Sequence, residues 1–581
     1  MFKKWQYYEN NNKEEAEKIE KELKLNKLLS GILANRGVTV DTAKVFLNPT
    51  RYDFHDPFKM PDMEKAVDRI IKAIENKEKV IIYGDYDVDG ITSITVLKSF
   101  LNDRGLEVDS YIPNRLHEGY GLNKEAIKKI ADRNYTLMIT VDCGITGVEE
   151  VELAKSLGIE TIITDHHEPA AYLPDAISVV DCKRKDNKYP FRELAGVGVA
   201  FKLSQAISIK MGLDEKEYLK YLDIVSIGTI SDIVPLVDEN RVITLLGLKL
   251  VKCTKNIGLK AILNEIGYNK IDSSSISFGV APRINACGRM GFADIALELL
   301  MTTDKEEALQ KASSIGKYNN QRQLEEKKIF EEANKQIIEN HLENSDALIL
   351  SGQNWHIGVI GIVASKITEM YYKPSILVCF DDENEIGRGS GRSVPGFDLH
   401  EALTKCEDAL AGFGGHSMAV GLAVCKNNFE KFRTEMQKLA KDADISSLTP
   451  VLNIDEVLEL EDISRQMVES ISLLEPFGEG NKMPIFAIKN LKIDSIRSLS
   501  EGKHLKLALK SSKNNYLDAI GFNLGYLAEE FKIGDKIDVA GNLEINSYGR
   551  SRYHSIKFKR CTKKCLGGIL CQTKKKLQLM M

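Results

Sequence analysis

The chain has 581 residues, 43% of them apolar and 28% charged, with a formal net charge of −5. That length exceeds a single hydrophobic core and predicts three or four domains of ordinary globular protein. No apolar run approaches the roughly 18 residues of a membrane span, and nothing in the net charge advertises a nucleic-acid binder.

The N-terminus, MFKKWQYYENNN, lacks the apolar core of a signal peptide, which predicts a cytoplasmic protein with no membrane partner. Scattered cysteines agree with a reducing compartment. Residues 1–60 read as a helical lead-in, with one helix stopped at Gly37 and another between Thr39 and Pro49. Over residues 61–315, short β-branched runs (KVIIYG, VDSYIP, TLMITVD, ETIITD, ISVVD) alternate with helix-length segments. Such alternation predicts a parallel sheet covered on both faces. A long, exposed connecting helix is expected over 316–343, where Pro is absent. A second α/β unit follows over 344–445, opening with DALILSG and rich in glycine between 387 and 421. Five short strands within 450–560 predict an OB-like barrel. Residues 561–581 read as a basic, disordered tail.

The stretch VIIYGDYDVDGITS places Asp85, Asp87 and Asp89 at alternate positions after an apolar run. The period of a strand would turn all three to one side. TLMITVDCGIT ends its run at Asp142, ETIITDHHEP at Asp165, His166 and His167, and VSIGTISDIVPL carries Asp232 after an apolar segment. Parallel sheets bind ligands outside the carboxyl ends of their strands, so all these acids are expected on one rim. Carboxylates with one or two imidazoles suit Mn²⁺ or Mg²⁺ rather than zinc. Four or five carboxylates exceed the need of one ion. Two ions about 3.5–4 Å apart would neutralise them, in the arrangement that hydrolyses phosphate esters.

Two basic segments complement the acids. PNRLHEGYGLN offers Arg115 and His117, and a guanidinium grips phosphate oxygens as a fork. GRGSGRSVPG alternates glycines with Arg388, Ser390, Arg392 and Ser393, a pattern for an anion-binding nest of backbone N–H groups. AGVGVAF, at 195–201, lacks the third glycine of a dinucleotide fingerprint and reads as tight packing at a helix start. No GxxxxGK[ST] pattern occurs, so ATP-driven translocation is not indicated.

DYDVDG, VDCG, DHH and SDIVPL, in that order, resemble the four motifs of the DHH phosphoesterase superfamily. APRINACGRMG, WHIGVIGIVASK, GRGSGRSVPGFDLHEAL and GFGGHSMAVG resemble the RecJ-type single-strand-specific exonucleases, and the likeness runs from about 25 to about 555. The resemblance implies an α/β fold. A parallel-sheet DHH domain would be joined by a long helix to a smaller α/β DHHA1 domain, followed by an OB-like β-barrel. It implies a metal-dependent exonuclease that degrades single-stranded DNA 5′ to 3′ to mononucleotides in repair and recombination. Two divalent ions, Mn²⁺ or Mg²⁺, would be held by Asp87, Asp89, Asp142, His166 and Asp232. Asp85, Asp165 and His167 would be close supports or further ligands. Many relatives carry a histidine where this chain has Tyr83. Ser390 and Arg392 would hold the 5′ phosphate together with Arg283 or Arg289, and Arg115 and Arg388 would add charge. His416 would bind substrate beside the metals. His356 reads either as a substrate contact or as a hydrogen-bonded core histidine. The barrel and basic end could track a single strand, with Tyr548 and Tyr553 stacking on bases. A single-strand-binding protein and a helicase are the implied partners of a monomer. The alternatives are a DHH hydrolase of small nucleotides or oligonucleotides, and a non-catalytic DNA-binding scaffold, which would have lost its acids.

Overall fold

The structure, a computed structural model, describes residues 3–8, 12–381, 385–546 and 553–563. These form two compact units. The first holds Pro49–Thr449 with Pro476–Gly480, and the second holds the residues up to Asn48, Pro450–Glu475 and those from Asn481 on.

The N-terminal segment opens with a strand, β1 (Lys4–Tyr7), before helices α1 (Lys13–Leu23), α2 (Lys27–Asn35) and α3 (Val40–Leu47). β1 pairs in parallel with Val451–Ile454, and Trp5 packs beside Leu452, Ile454 and Ala487. The helical lead-in expected over 1–60 thus also carries a strand. WQY carries bulky aromatics suited to a pleated surface, and its partner strand lies more than 440 residues away, beyond the reach of any local pattern. α3 begins where Thr39 and Thr42 form a reciprocal capping box.

The first unit is built on five parallel strands: β2 (Val80–Gly84), β3 (Val108–Tyr111), β4 (Leu137–Val141), β5 (Glu160–Asp165) and β6 (Ser178–Asp181). Their order is β3-β2-β4-β5-β6. Helices α4 (Met63–Asn76), α5 (Val88–Asn102), α6 (Lys124–Asp132) and α7 (Val148–Ser156) separate successive strands or lead into them. β2 is buried on both faces: Val80 and Ile82 join one apolar cluster, Ile81 and Tyr83 another. From β2 the chain steps outward to β3 and then returns across β2 to β4. The rim between β2 and β4 is therefore a topological switch point, where parallel sheets open a crevice.

Helices α8 (Gly196–Lys210), α9 (Leu222–Ser231), α10 (Asp238–Val251) and α11 (Ala281–Arg289) follow, α8 to α10 largely buried. The connecting helix α12 runs from Lys305 to Glu339. It starts eleven residues before the expected 316, because Gly316 does not stop it. That glycine is buried, and a side chain there would meet only the Glu265 carboxylate at 3.4 Å. The second sheet of this unit has the order β10-β11-β9-β8-β7, from β7 (Leu348–Gln353), β8 (Ser375–Phe380), β9 (Ile386–Arg392), β10 (Gly412–His416) and β11 (Ala419–Cys425). Only β7 and β8 run parallel, joined by helix α13 (Ile357–Tyr371).

The second unit contains β12 (Val451–Ile454), β13 (Glu456–Leu458), β14 (Phe486–Leu499), β15 (His504–Lys510), β16 (Tyr516–Gly521), β17 (Lys536–Asn546) and β18 (Tyr553–Lys563). The last five close into a barrel, because β14 pairs with both β15 and β17. HLKLALK shows the alternation this requires: its three leucines are buried and the residues between them are half-exposed. Cys561–Lys563 belong to β18, which corrects their assignment to a tail. Residues 564–581 and Tyr548 lie outside the described residues. Among the described residues, no helix is long and apolar enough to cross a membrane.

Candidate metal centre and phosphate site

The acids converge on the β2–β4 rim, but not by strand alternation. β2 ends at Gly84, and Asp85, Asp87 and Asp89 follow in a tight turn into α5. Asp87 caps that helix: its Oδ1 accepts from the N–H groups of Asp89, at 2.9 Å, and Gly90, at 3.1 Å. Gly90 is obligatory there, since a Cβ would lie 2.4 Å from the Asp85 carbonyl oxygen. Asp89, in the first turn of α5, is fully enclosed. Its two oxygens accept from Gly196 N–H (2.6 Å) and Val197 N–H (2.8 Å). The start of α8 thus grips a carboxylate, as a helix N-terminus favours. AGVGVAF is this packing element, and a Cβ at Gly196 would strike the Asp142 carboxylate at 2.6 Å.

Asp142 follows β4 in the left-handed region (φ 59°), which an aspartate tolerates better than most residues. His166 follows β5. Its Nε2 stands 3.1 Å from Asp142 Oδ1, 3.7 Å from Asp232 Oδ2 and 3.8 Å from Asp89 Oδ2. Asp232 reaches this group from the C-terminal end of α9, not from a strand end as the sequence pattern suggested. An all-round buried helix followed by its acidic C-cap gave the same apolar-then-acid signature. Three sets have mutually close donor atoms: Asp85, Asp87 and Asp142; Asp89, His166 and Asp232; and Asp142, His166 and His167.

Asp165 is engaged differently. Its Oδ1 accepts from the His166 N–H (2.7 Å), the His167 N–H (3.2 Å) and His167 Nδ1 (2.7 Å), and its Oδ2 from the Ile145 N–H (2.9 Å). It holds the His167 ring and the backbone of His166 instead of joining the close sets. Despite its burial, the hydrogen bond and charge of His167 hold its pKa below the usual range, while the same contact raises that of His167 against burial.

The electrostatics call for a cation. Burial and repulsion from neighbouring acids push Asp85, Asp142 and Asp232 far above the usual carboxylate range, and Asp89 up to about 7. Burial pushes His166 down to about 3, so its imidazole is neutral and able to ligate. Asp85 Oδ1 and both ring nitrogens of His166 are buried and make no hydrogen bond. Buried polar atoms left in that state, amid oxygen and imidazole donors, fit a hard or borderline divalent ion.

Tyr83 turns away from these atoms. It stacks on Tyr111 (centroids 5.2 Å apart), donates to the Gly121 carbonyl at 2.9 Å and accepts from Asn123. It anchors the loop that carries Arg115.

A group of cations faces the acids. Arg115 lies over the Tyr86 ring at 5.0 Å. Arg289, at the end of α11, donates to the Gly358 carbonyl (3.2 Å), and a Cβ at Gly358 would lie 2.2 Å from the Arg289 carbonyl oxygen. Arg392, at the end of β9, donates to Ser390 Oγ (3.2 Å) and to its neighbour Gly391 O (2.7 Å). Burial, with Arg115 and Arg322 close by, depresses Arg289 to about 10, against the pull of Asp87. Burial and Arg115 also lower Arg392. Arginines crowded in this way attract an anion. Of the two arginines left open by the sequence, Arg289 belongs to this group, whereas Arg283 donates to Gly279 O (3.0 Å) within its own helical segment. Arg388 bridges to Leu116 O (3.3 Å). His356 caps α13, its Nδ1 accepting from the Gly358 N–H (3.1 Å). His416 is exposed at the end of β10.

Four residues escaped the sequence reading. Asp181 ends β6 in register with Asp165, has a buried unpaired Oδ2 and is pushed up to about 7 by burial. ISVVD carried the same strand-then-acid pattern and could have revealed it. Tyr120 sets its hydroxyl 3.1 Å from His167 Nδ1 and 3.3 Å from Asp142 O. Asn285 accepts from the Val88 N–H (3.3 Å). Arg322, on α12, had no pattern to expose it.

Rim, connecting helix and glycine-rich sheet together define a protein of the DHH class. Residues 79–229 match the DHH family N-terminal domain, 344–442 the DHHA1 domain and 454–560 the RecJ OB domain. The single-stranded-DNA-specific exonuclease RecJ of Bacillus subtilis (strain 168) is 38% identical over 553 residues, which is 94% of this chain and 69% of that protein. The crystal structure of RecJ in complex with Mn²⁺ from Thermus thermophilus superposes with a TM-score of 0.84 at 28% identity, covering 97% of this chain and 81% of that one. The Mg²⁺ complex from the same organism gives 0.75 at 26%, covering 97% and 79%. The chain belongs to the RecJ family of single-stranded-DNA-specific exonucleases.

Proposed function

We propose that this chain is a metal-dependent exonuclease that hydrolyses single-stranded DNA from the 5′ end to mononucleotides. The observation that carries this reading is the confrontation of two uncompensated charge groups in one unit. Asp85, Asp87, Asp89, Asp142 and Asp232 crowd negative charge around His166, and Arg115, Arg289 and Arg392 crowd positive charge opposite them. A scissile phosphodiester with divalent ions answers both.

Those acids and His166 would hold Mn²⁺ or Mg²⁺, the ions named with the Thermus thermophilus structures. Bound there, the ions supply Lewis-acid polarisation of the phosphate and activation of water. The chain's own residues do the rest. Arg289, Arg392 and Ser390 hold the terminal phosphate, and Arg115 neutralises its charge from the β3–α6 loop. Asp165 fixes the orientation of the His167 ring and anchors the His166 backbone. His416 closes the substrate side from β10. The barrel offers a strand track of its own, where Tyr516, Phe522 and Tyr526 are about half exposed and Lys510 lies 5.1 Å over the Tyr516 ring. The enzyme works in the cytoplasm in DNA repair and recombination, as a monomer, in company with a single-strand-binding protein and a helicase.

The test uses labelled single strands blocked at either end, with and without Mn²⁺. Digestion requires the metal and survives a 3′ block. Digestion stopped by the 3′ block alone would refute the polarity, and digestion unchanged in Asp142→Ala would refute the site.

A further inference from the structure

A cavity that shares Arg322 with the surroundings of the arginine group combines an aromatic surface with clustered cations. It has a volume of about 480 Å³ and lies between α12, α13 and the segment before α11. Phe278 forms one wall. It sits on a single π turn, Ile276–Val280, and is 78% exposed, so its ring face is open to a ligand. Phe330 of α12 supplies a second, half-buried ring. Arg322 and Lys327 of α12 and Lys366 of α13 supply the cations. The acid among them, Glu326, is buried. It holds Arg322 Nη1 at 2.5 Å from one oxygen and pairs with Lys366 through the other. Asn319 Oδ1 accepts from Arg322 Nη2 at 2.7 Å. Glu326 therefore fixes the direction of Arg322 and Lys366, and Asn319 that of Arg322. The remaining pair, Lys327 with Glu331 at 3.8 Å, is solvent-exposed and exchanges readily.

We propose that this cavity binds a nucleoside phosphate. An exposed aromatic ring offers a stacking face to any base, and two or three oriented cations match a phosphate. The volume lies within the range of small-molecule sites. Two sources share this chemistry: the 5′-mononucleotide released by strand hydrolysis, and free cellular nucleotides with more phosphates.

The test is equilibrium binding to the full chain in EDTA, with Arg392→Ala present to remove binding at the arginine group beside the rim. The probes are dAMP, ADP, deoxyadenosine and inorganic phosphate. Saturable one-to-one binding of dAMP or ADP is expected. Phe278→Ala should weaken it about 5- to 100-fold, the range spanned by loss of one base–aromatic stack, and Lys327→Ala, also at an exposed position, should weaken it measurably through loss of a phosphate contact. Deoxyadenosine and phosphate should bind more weakly than either nucleotide. dAMP binding as tightly as ADP identifies the released product as the occupant, and ADP binding at least tenfold tighter identifies the free pool. No saturable nucleotide binding, or binding unchanged by both substitutions, overturns the proposal.

Discussion

Among single residues, backbone holds the rim as much as side chains do. Gly196 is the sharpest example, because it must pass the Asp142 carboxylate where no Cβ fits. Gly196→Ala should leave the fold intact by circular dichroism and lower the exonuclease rate by about 10²-fold, the cost of a small misplacement of a reacting group. A rate within twofold of the parent would show that Asp142 has room to move. Asp165→Asn makes a different prediction. It removes the carboxylate charge behind the His167 ring and the His166 backbone N–H, so Mn²⁺ affinity measured by calorimetry should fall about 10- to 100-fold. Unchanged affinity would remove Asp165 from the account.

Among the helices and strands, the parallel strands were legible because burial on both faces leaves continuous β-branched runs, as in VIIYG and LMITV. The site residues at strand ends came with them. Asp232 was legible as an acid but not as a helix end, since α9 is buried all round and shows no amphipathic period. β1 and Arg322 were not legible, because their roles depend on partners remote in sequence. The helix that follows Asp232 rests on a buried ion pair. Lys202 Nζ meets Glu239 Oε1 at 2.8 Å with both side chains fully enclosed, and Glu239 also takes the His55 N–H at 3.1 Å and the Tyr189 hydroxyl. Lys202→Met would strand the Glu239 charge and should cost about 3–5 kcal/mol in denaturant unfolding of the first unit. A loss below about 1 kcal/mol would mean that water reaches the pair.

For the folding of the protein, the acids that form the centre are a liability when no cation is present. Unfolded aspartates ionise near 3.9, whereas burial and mutual repulsion keep Asp85, Asp142 and Asp232 well above that, and Asp89 at about 7. The folded metal-free protein therefore binds more protons than the unfolded chain between those values. These groups favour folding below about pH 4, and that contribution is lost as pH rises through about 7. A divalent ion favours the ionised acids and cancels the loss. The gain in Tm on adding Mn²⁺ should accordingly be larger near pH 8 than near pH 5.5. A gain independent of pH would separate the acids from the metal.

The most direct measurement is anomalous diffraction at the manganese edge from crystals soaked in Mn²⁺. Two adjacent peaks are expected, one within reach of Asp85, Asp87 and Asp142, the other beside Asp89, His166 and Asp232. An empty rim with these side chains in their present positions would contradict the account.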